Sequence, residues 1–428
     1  MRSRNIQSAG ADQSAARSAI FILAFSLISV GASILKPVRV AQAAGPSVVQ
    51  FSAATYNVNE DMTFRTVIVN RTGDVSGPAT VDYTTAGVSA SQRTDYTHVS
   101  GTLRFAAGES NKTINILISE DIKIEGTETL TITLSNGTGQ ALLGTPSTAS
   151  IVITDDPIEA GQNPIDFTDI FVGQHYHDFL ARHSDNPGQL FWEDRIAACG
   201  NNAACIDDRR TNVSAAFFLS IEFQQTGYLV IRVHKAAFGS DPSVPRYLGF
   251  LRDQRRVTDG VIVGNTGWET LLAANQQAYL EEFVSSSEFV SLFPVGTASG
   301  VYVDTLFFNE GVVPTASERV AAINAYGGGN TFGRAAALKS VVDSDSVFNQ
   351  QYNPAFVLMQ YFGYLRRDAD DPPDNNFGGY FFWLDKMNQF TLPGENVRDE
   401  AVALNRVKRA EMVRSFLVSN EYRLRFGQ

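Results

Sequence analysis

The chain has 428 residues, 44% hydrophobic and 18% charged, an ordinary globular balance with room for two or three folded domains. Its 34 Lys+Arg against 45 Asp+Glu give a formal charge of -11, which offers no broad cationic surface and argues against a nucleic-acid partner. With 29 Phe, 14 Tyr and 3 Trp the sequence is too aromatic for a disordered chain, and no long apolar run after residue 40 supports a polytopic membrane protein.

Residues 1–19 carry Arg2, Arg4 and Arg17 against Asp12 alone, and the 16 residues 20–35 are all apolar or small. That is the layout of an export signal, and Ala41-Gln42-Ala43 supplies the small-x-small pattern that a signal peptidase pocket accepts. Residues 1–43 are therefore expected to be a signal peptide, with the mature chain extracellular, at the cell surface or periplasmic. Lys36 and Arg39, between the apolar core and the cleavage pattern, leave an uncleaved membrane anchor as the alternative. Cleavage removes five basic residues and Asp12, carrying the charge from -11 to -15.

From residue 46 to 156 the pattern changes to seven short β-branched runs broken by turn residues such as Thr72-Gly73, Gly77-Pro78 and Asn136-Gly137. Seven strands in this length predict an antiparallel sandwich. The alternation in 113–118 places Ile114, Ile116 and Ile118 on one face and Thr113, Asn115 and Leu117 on the other. Carboxylates gather at strand junctions: Glu60-Asp61, Asp95, Glu120-Asp121, Glu125, Glu128 and Asp155-Asp156. If these junctions meet at one tip, their hard oxygen ligands suit Ca²⁺, which takes six to eight oxygens in loose geometry. The alternative is a set of solvated loop acids.

The segments VNED at 58–61, DYTHVSGTLRFAAGE at 95–109, KTINILISEDIKIEGTETLTITLSN at 112–136 and the closing IVITDD resemble a Calx-beta domain over residues 47–156. The resemblance implies an immunoglobulin-like sandwich of the kind found in sodium/calcium exchangers and integrin β4. In the exchangers such a sandwich binds calcium through acids at one tip. Carried over position by position, it implies Glu60, Asp95, Asp121, Glu125, Asp155 and Asp156 as ligands. The sequence departs from the pattern at Pro157, where calcium-binding members often carry a third consecutive acid.

A polar, Pro/Gly-containing stretch at 157–168 reads as a linker, and residues 169–428 as a mainly α-helical region with segments at 168–182, 212–224, 268–290, 316–326, 354–367 and 403–424. The two cysteines, Cys199 and Cys205, bracket a flexible Gly/Asn loop. In an exported chain a disulfide is the expected pairing, ahead of zinc, which wants more ligands, or a catalytic thiol, which wants a partner histidine.

Three internal patterns mark the helical region as a repeat. F-x-x-S-x-E-[FY] occurs at Phe217/Ser220/Glu222/Phe223, at Phe283/Ser286/Glu288/Phe289 and at Phe416/Ser419/Glu421/Tyr422. Y-x-x-[FY]-L-x-R occurs at Tyr176/Phe179/Leu180/Arg182 and at Tyr361/Tyr364/Leu365/Arg367. F-[WL]-x-D occurs at Phe191/Trp192/Asp194, at Phe250/Leu251/Asp253 and at Phe382/Trp383/Asp385. The aromatics are expected to pack helix on helix, with each motif serine capping a new turn. The phrases AAFFLSIEFQQTGY and AFVLMQYFGYLRRDADDPPDNNFGGYFFWLDKMNQF resemble an uncharacterised helical repeat domain of bacterial exported proteins, distantly similar to phycobilisome linker domains. That resemblance implies architecture and no activity.

Catalytic signatures are missing from the sequence. His175 and His177 lie about 200° apart on a helix and cannot share a metal, and His183 could join one of them only by folding back; Gly327-Gly328-Gly329-Asn330 lacks the Gly-Lys-Ser/Thr of a phosphate loop; no G-x-S-x-G occurs. The acids Asp368, Asp370, Asp371 and Asp374 fail the EF-hand pattern and read as a solvated loop, with a second cation site as the alternative. The sequence thus predicts an exported, non-catalytic calcium-binding scaffold or adhesion module, a Calx-beta sandwich plus a helical repeat, acting on an unknown protein or surface polymer. Membrane contact would come only through an uncleaved N-terminal segment. The alternatives are a membrane-anchored calcium-responsive protein in cell communication or an accessory part of a secreted enzyme.

Overall fold

The computed structural model describes residues 45–156 and 161–427, so the expected signal peptide and Pro157 lie outside the described residues. Nine strands build the first half: β1 (Val48–Phe51), β2 (Thr55–Asn59), β3 (Phe64–Thr72), β4 (Ala79–Gly87), β5 (Ser100–Phe105), β6 (Asn111–Leu117), β7 (Thr127–Ser135), β8 (Leu142–Leu143) and β9 (Thr148–Thr154). They form a four-stranded sheet, β6-β3-β1-β8, facing a five-stranded sheet, β2-β9-β7-β4-β5. Period-two alternation closes the core, with Val49, Phe51, Val67, Val69, Ile114 and Ile116 meeting Val81, Leu103, Leu130, Ile132 and Ile151.

The first expected strand is two strands in different sheets. The chain crosses between sheets at Ser52–Ala54, where the Ser52 hydroxyl and the Ala53 amide bond the Tyr56 hydroxyl at 2.9 and 3.2 Å. The crossing makes β2 parallel to β9 and β1 parallel to β8, so the sandwich is not purely antiparallel. At Gly73, with φ +79°, a Cβ would lie 2.1 Å from the Pro46 carbonyl oxygen, which only glycine avoids.

The helical half is built around Gly227–Phe238, a helix buried on nearly all sides. Its sequence GYLVIRVHKAAF does carry a helical period, but its polar side is packed as well, Arg232 and Lys235 being buried, and it is not among the segments expected from sequence. Three expected segments follow the sequence reading closely: Thr168–Leu180, Ala316–Tyr326, and Trp268–Ser285, with its successor Ser287–Leu292 separated at Ser286. The helix Asp345–Met359 starts earlier than expected and continues into a π-helical turn, Gln360–Leu365.

The repeat is real at atomic detail. Ser220, Ser286 and Ser419 each accept a backbone N–H three residues on, from Phe223, Phe289 and Tyr422 at 3.1 to 3.2 Å. Each also donates to the carbonyl of the motif's leading Phe at 2.8 Å. Ser344 makes the same pair of bonds, to Val347 N and Val341 O, as a fourth and more divergent copy. In the other pattern, Arg182 grips Glu222 and Arg367 grips Glu421 through the same Nε/Nη2 edge. Trp192 packs on Phe217 and Trp383 on Phe416, with ring centroids 5.6 and 5.8 Å apart. The third F-[WL]-x-D match is not equivalent, since Phe250 is fully buried while Phe191 and Phe382 are 46% and 62% exposed.

The stretch read as linker is packed from Asn163 onward: Pro164 and Ile165 are buried and Arg423 holds Asp166 through two bonds of 2.8 Å. Sandwich and helices meet along a polar seam. Arg104 pairs with Glu282 at 2.6 Å, Arg93 with Asp371 at 3.5 Å, and the Phe64 and His183 rings lie 4.5 Å apart. Leu117 belongs to no part of the sandwich core, yet it is buried, at this seam. The disulfide Cys199–Cys205 is formed, with Cα atoms 5.6 Å apart. Among the described residues no helix is long and apolar enough to cross a membrane.

Candidate metal centre

Sheet register gathers the acids at one end of the sandwich. Because β2 and β9 run parallel with Asn59 opposite Thr154, the residues that follow, Glu60 and Asp155, leave the sheet side by side. Because β7 runs antiparallel to β9 with Thr127 opposite Thr154, Glu128 starts its strand at the same end. The Asp95 loop is tied to the 119 loop by Ser119 N donating to Asp95 O at 2.9 Å and by the Tyr96–Ile118 bridge, which sets Asp95 beside Asp121.

Two overlapping trios result. Glu60, Glu125 and Glu128 each offer an oxygen within 4.8 Å of the others, as do Asp95, Asp121 and Glu125, so Glu125 is shared. Asp155 borders them: its Oδ2 accepts from Gly126 N at 2.8 Å and its Oδ1 is shielded from solvent and receives no donor. Neither Asp155 nor Asp156 belongs to a trio; both follow β9, which ends at Thr154. Glu128, an acid outside the expected ligand set, does belong to one. The signal for Glu128 was legible, since it alternates in phase with the buried Leu130, Ile132 and Leu134 and is an acid at a core-facing position.

Packing these carboxylates together disturbs them. Burial, then the neighbouring Asp95, pushes Glu128 up to about 8. Burial raises Asp121, and burial followed by like charges raises Glu125. Asp95 is 3% exposed; its Oδ2 accepts from Ser91 N at 2.5 Å while its Oδ1 receives no donor. Lys123 brings a cation into the loops: its Nζ lies 3.1 Å from Asp121 Oδ2. Buried oxygens that lack donors, mutual repulsion and an all-oxygen donor set are what a hard divalent cation such as Ca²⁺ relieves. The residues present fit that ion.

The other candidate positions resolve differently. Arg246 pairs with Asp368, Asp370 and Asp371, and Arg367 with Asp374, so the acidic loop is neutralised by arginines rather than solvated or poised for a cation. His175 is buried between Phe171 O and Ser214 Oγ. His183 does fold back on His177, with nitrogens 3.4 Å apart, but no third ligand joins them among the described residues. A cleft of about 830 Å³ at the seam contains a pair the sequence did not reveal, His234 Nε2 at 2.7 Å from Asp253 Oδ2. Arg252 takes the other Asp253 oxygen at 2.7 Å, and Ser286 in the same wall is committed to its helix cap.

Residues 43–157 match the Calx-beta domain family. Sodium/calcium exchanger 1 of Mus musculus is 33% identical over 25% of this chain and 13% of its own length. The extracellular matrix organizing protein FRAS1 of Mus musculus is 33% identical over 26% of this chain and 3% of its own length. Among solved structures, the crystal structure of the apo form of the Calx CBD1 domain is 32% identical over 26% of this chain and 98% of that one, with a TM-score of 0.26. The chain thus spans a small part of these curated relatives, all within its sandwich. Its architecture is an N-terminal Calx-beta sandwich followed by a mainly helical region.

Proposed function

We propose that the sandwich binds Ca²⁺ at the carboxylate tip and that the whole chain serves as an exported, non-catalytic scaffold or adhesion module. The observation that carries this reading is the pair of acid trios sharing Glu125, in which Asp95 Oδ1 and Glu128 Oε2 are buried and receive no donor. Glu60, Asp95, Asp121, Glu125 and Glu128 are the ligands, with Asp155 at the border. Two trios give the tip room for more than one ion. Export is supported by the layout of residues 1–43 and by the paired cysteines. The partner is a protein or surface polymer. If residues 20–35 stay attached, the same module is a membrane-anchored calcium responder, and intact mass of native material separates the two.

Calorimetric titration of the chain tests the ion. Ca²⁺ is expected to bind and Mg²⁺, which demands a tight octahedron, to bind more weakly. Glu125→Gln, which touches both trios, should weaken Ca²⁺ more than Asp156→Asn. No heat with Ca²⁺, or equal loss in the two variants, would remove this site.

A further inference from the structure

The loop that carries Asp121 is also the loop on which the helical region rests. Ser119 Oγ accepts from Arg366 Nη1 at 3.0 Å, Ile122 N donates to Phe426 O at 3.3 Å, and Lys123 Nζ donates to Arg425 O at 3.4 Å. A Cβ on Gly427 would meet the Ile122 side chain at 2.4 Å, so the C-terminal residues lie flat against the loop. Arg366 and Arg425 are both held by the buried carboxylate of Asp178, at 3.0 and 3.1 Å. The polar contacts therefore close a ring, from Asp121 through Lys123, Arg425, Asp178, Arg366 and Ser119 back to the Asp121 loop.

Lys123 is the member of the ring that faces both ways. Its ammonium sits 3.1 Å from Asp121 Oδ2, where it balances part of the acid cluster, and the same group reaches the Arg425 carbonyl. A divalent cation on the Asp95, Asp121 and Glu125 oxygens claims the same carboxylate and repels the ammonium beside it. Ion and ammonium compete for one partner.

We propose that Lys123 couples the two halves of the chain: it docks residues 425–427 of the helical region on the sandwich in the calcium-free state, and calcium binding at Asp121 releases them. This rests on the calcium reading above. The coupling is reciprocal, so the docked tail lowers calcium affinity to the same extent that calcium loosens the tail.

Two measurements on the full chain separate this from the site itself. Calcium titration calorimetry of wild type and Lys123→Met reports affinity, and hydrogen exchange of peptides covering 118–123 and 420–427, in Ca²⁺ and in chelator, reports docking. Lys123→Met keeps the side-chain volume, and Lys123 is partly exposed, so folding is retained. Calcium should speed exchange at 420–427 in wild type by about tenfold, within the usual range of site-to-site coupling. Lys123→Met should bind Ca²⁺ about tenfold tighter and show fast exchange at 420–427 with or without the ion. Lys123→Arg should restore the wild-type pattern. Calcium heat with unchanged or slowed exchange at 420–427 overturns the coupling and leaves the site standing; so does an unchanged affinity in Lys123→Met. No calcium heat in any of the proteins overturns the site and the coupling together.

Discussion

Arg366 and Asp178 form an ion pair at 3.0 Å with side chains only 1% and 2% exposed, and Arg425 completes it from the other side. Burial pushes the Asp178 carboxyl up, but Arg425 and Arg366 outweigh it and hold the group below the usual carboxylate range. A depressed folded value contributes stability that is present above about pH 4 and lost as the pH falls below it. Asp178→Asn leaves two buried guanidinium groups face to face and should cost about 3–5 kcal/mol at pH 7. Urea unfolding checks it, and the gap to wild type should narrow as the pH falls below about 4.

Removing a repeat serine should have a small and uniform effect. Ser220, Ser286, Ser344 and Ser419 each satisfy one orphan N–H at a helix start, so each Ser→Ala change should cost about 1 kcal/mol. The sites do not touch, so double variants should sum. A near-zero cost at Ser344 alone would show that the fourth copy is coincidental.

Two buried histidines set the acid limit of the helical half. Burial lowers His175 to about 4, and burial followed by His183 lowers His177 to about 3. The unfolded chain binds their protons near pH 6.5 and the folded chain does not, so stability is lost as the pH falls from 6.5 toward 4. At pH 5 the loss is about 2 kcal/mol per histidine. His177→Gln should flatten this limb in unfolding experiments at pH 7.5 and 5, and an unchanged slope would contradict the assignment.

The disulfide closes a short loop between the helices Asn186–Ala197 and Ala203–Leu219, where Asn202 caps the second at Cys205 N. Its loss should cost about 2 kcal/mol. Thiol labelling of native protein should find no free cysteine until reductant is added.

Strand alternation and turn residues made the sandwich legible from sequence, because a sheet with one buried face writes period two into the chain. The step at Ser52–Ala54 was not legible: nothing local marks it, and it is decided by pairing with β8 and β9 about ninety residues away. The acids of the tip were visible as strand-end carboxylates, but which of them converge depends on register, so Glu128 was left out of the expected ligand set although it lies in one of the trios. The capping serines were legible because they recur, and the motif arginines recurred without revealing their Glu partners; the helix Gly227–Phe238 was missed although its apolar residues follow a helical period. His234 with Asp253 and Arg366 with Ser119 join distant segments, and no spacing rule reaches them.

Whether the acid tip binds calcium is tested most directly by thermal melts of the full chain in excess Ca²⁺ and in chelator. At 100 times its dissociation constant, an ion that binds only the folded state adds about 2.7 kcal/mol, a rise of several degrees in Tm. Asp95→Asn, which blunts one trio at a buried oxygen, should shrink that rise while melting normally in chelator. Superimposable wild-type melts in calcium and chelator would contradict the account.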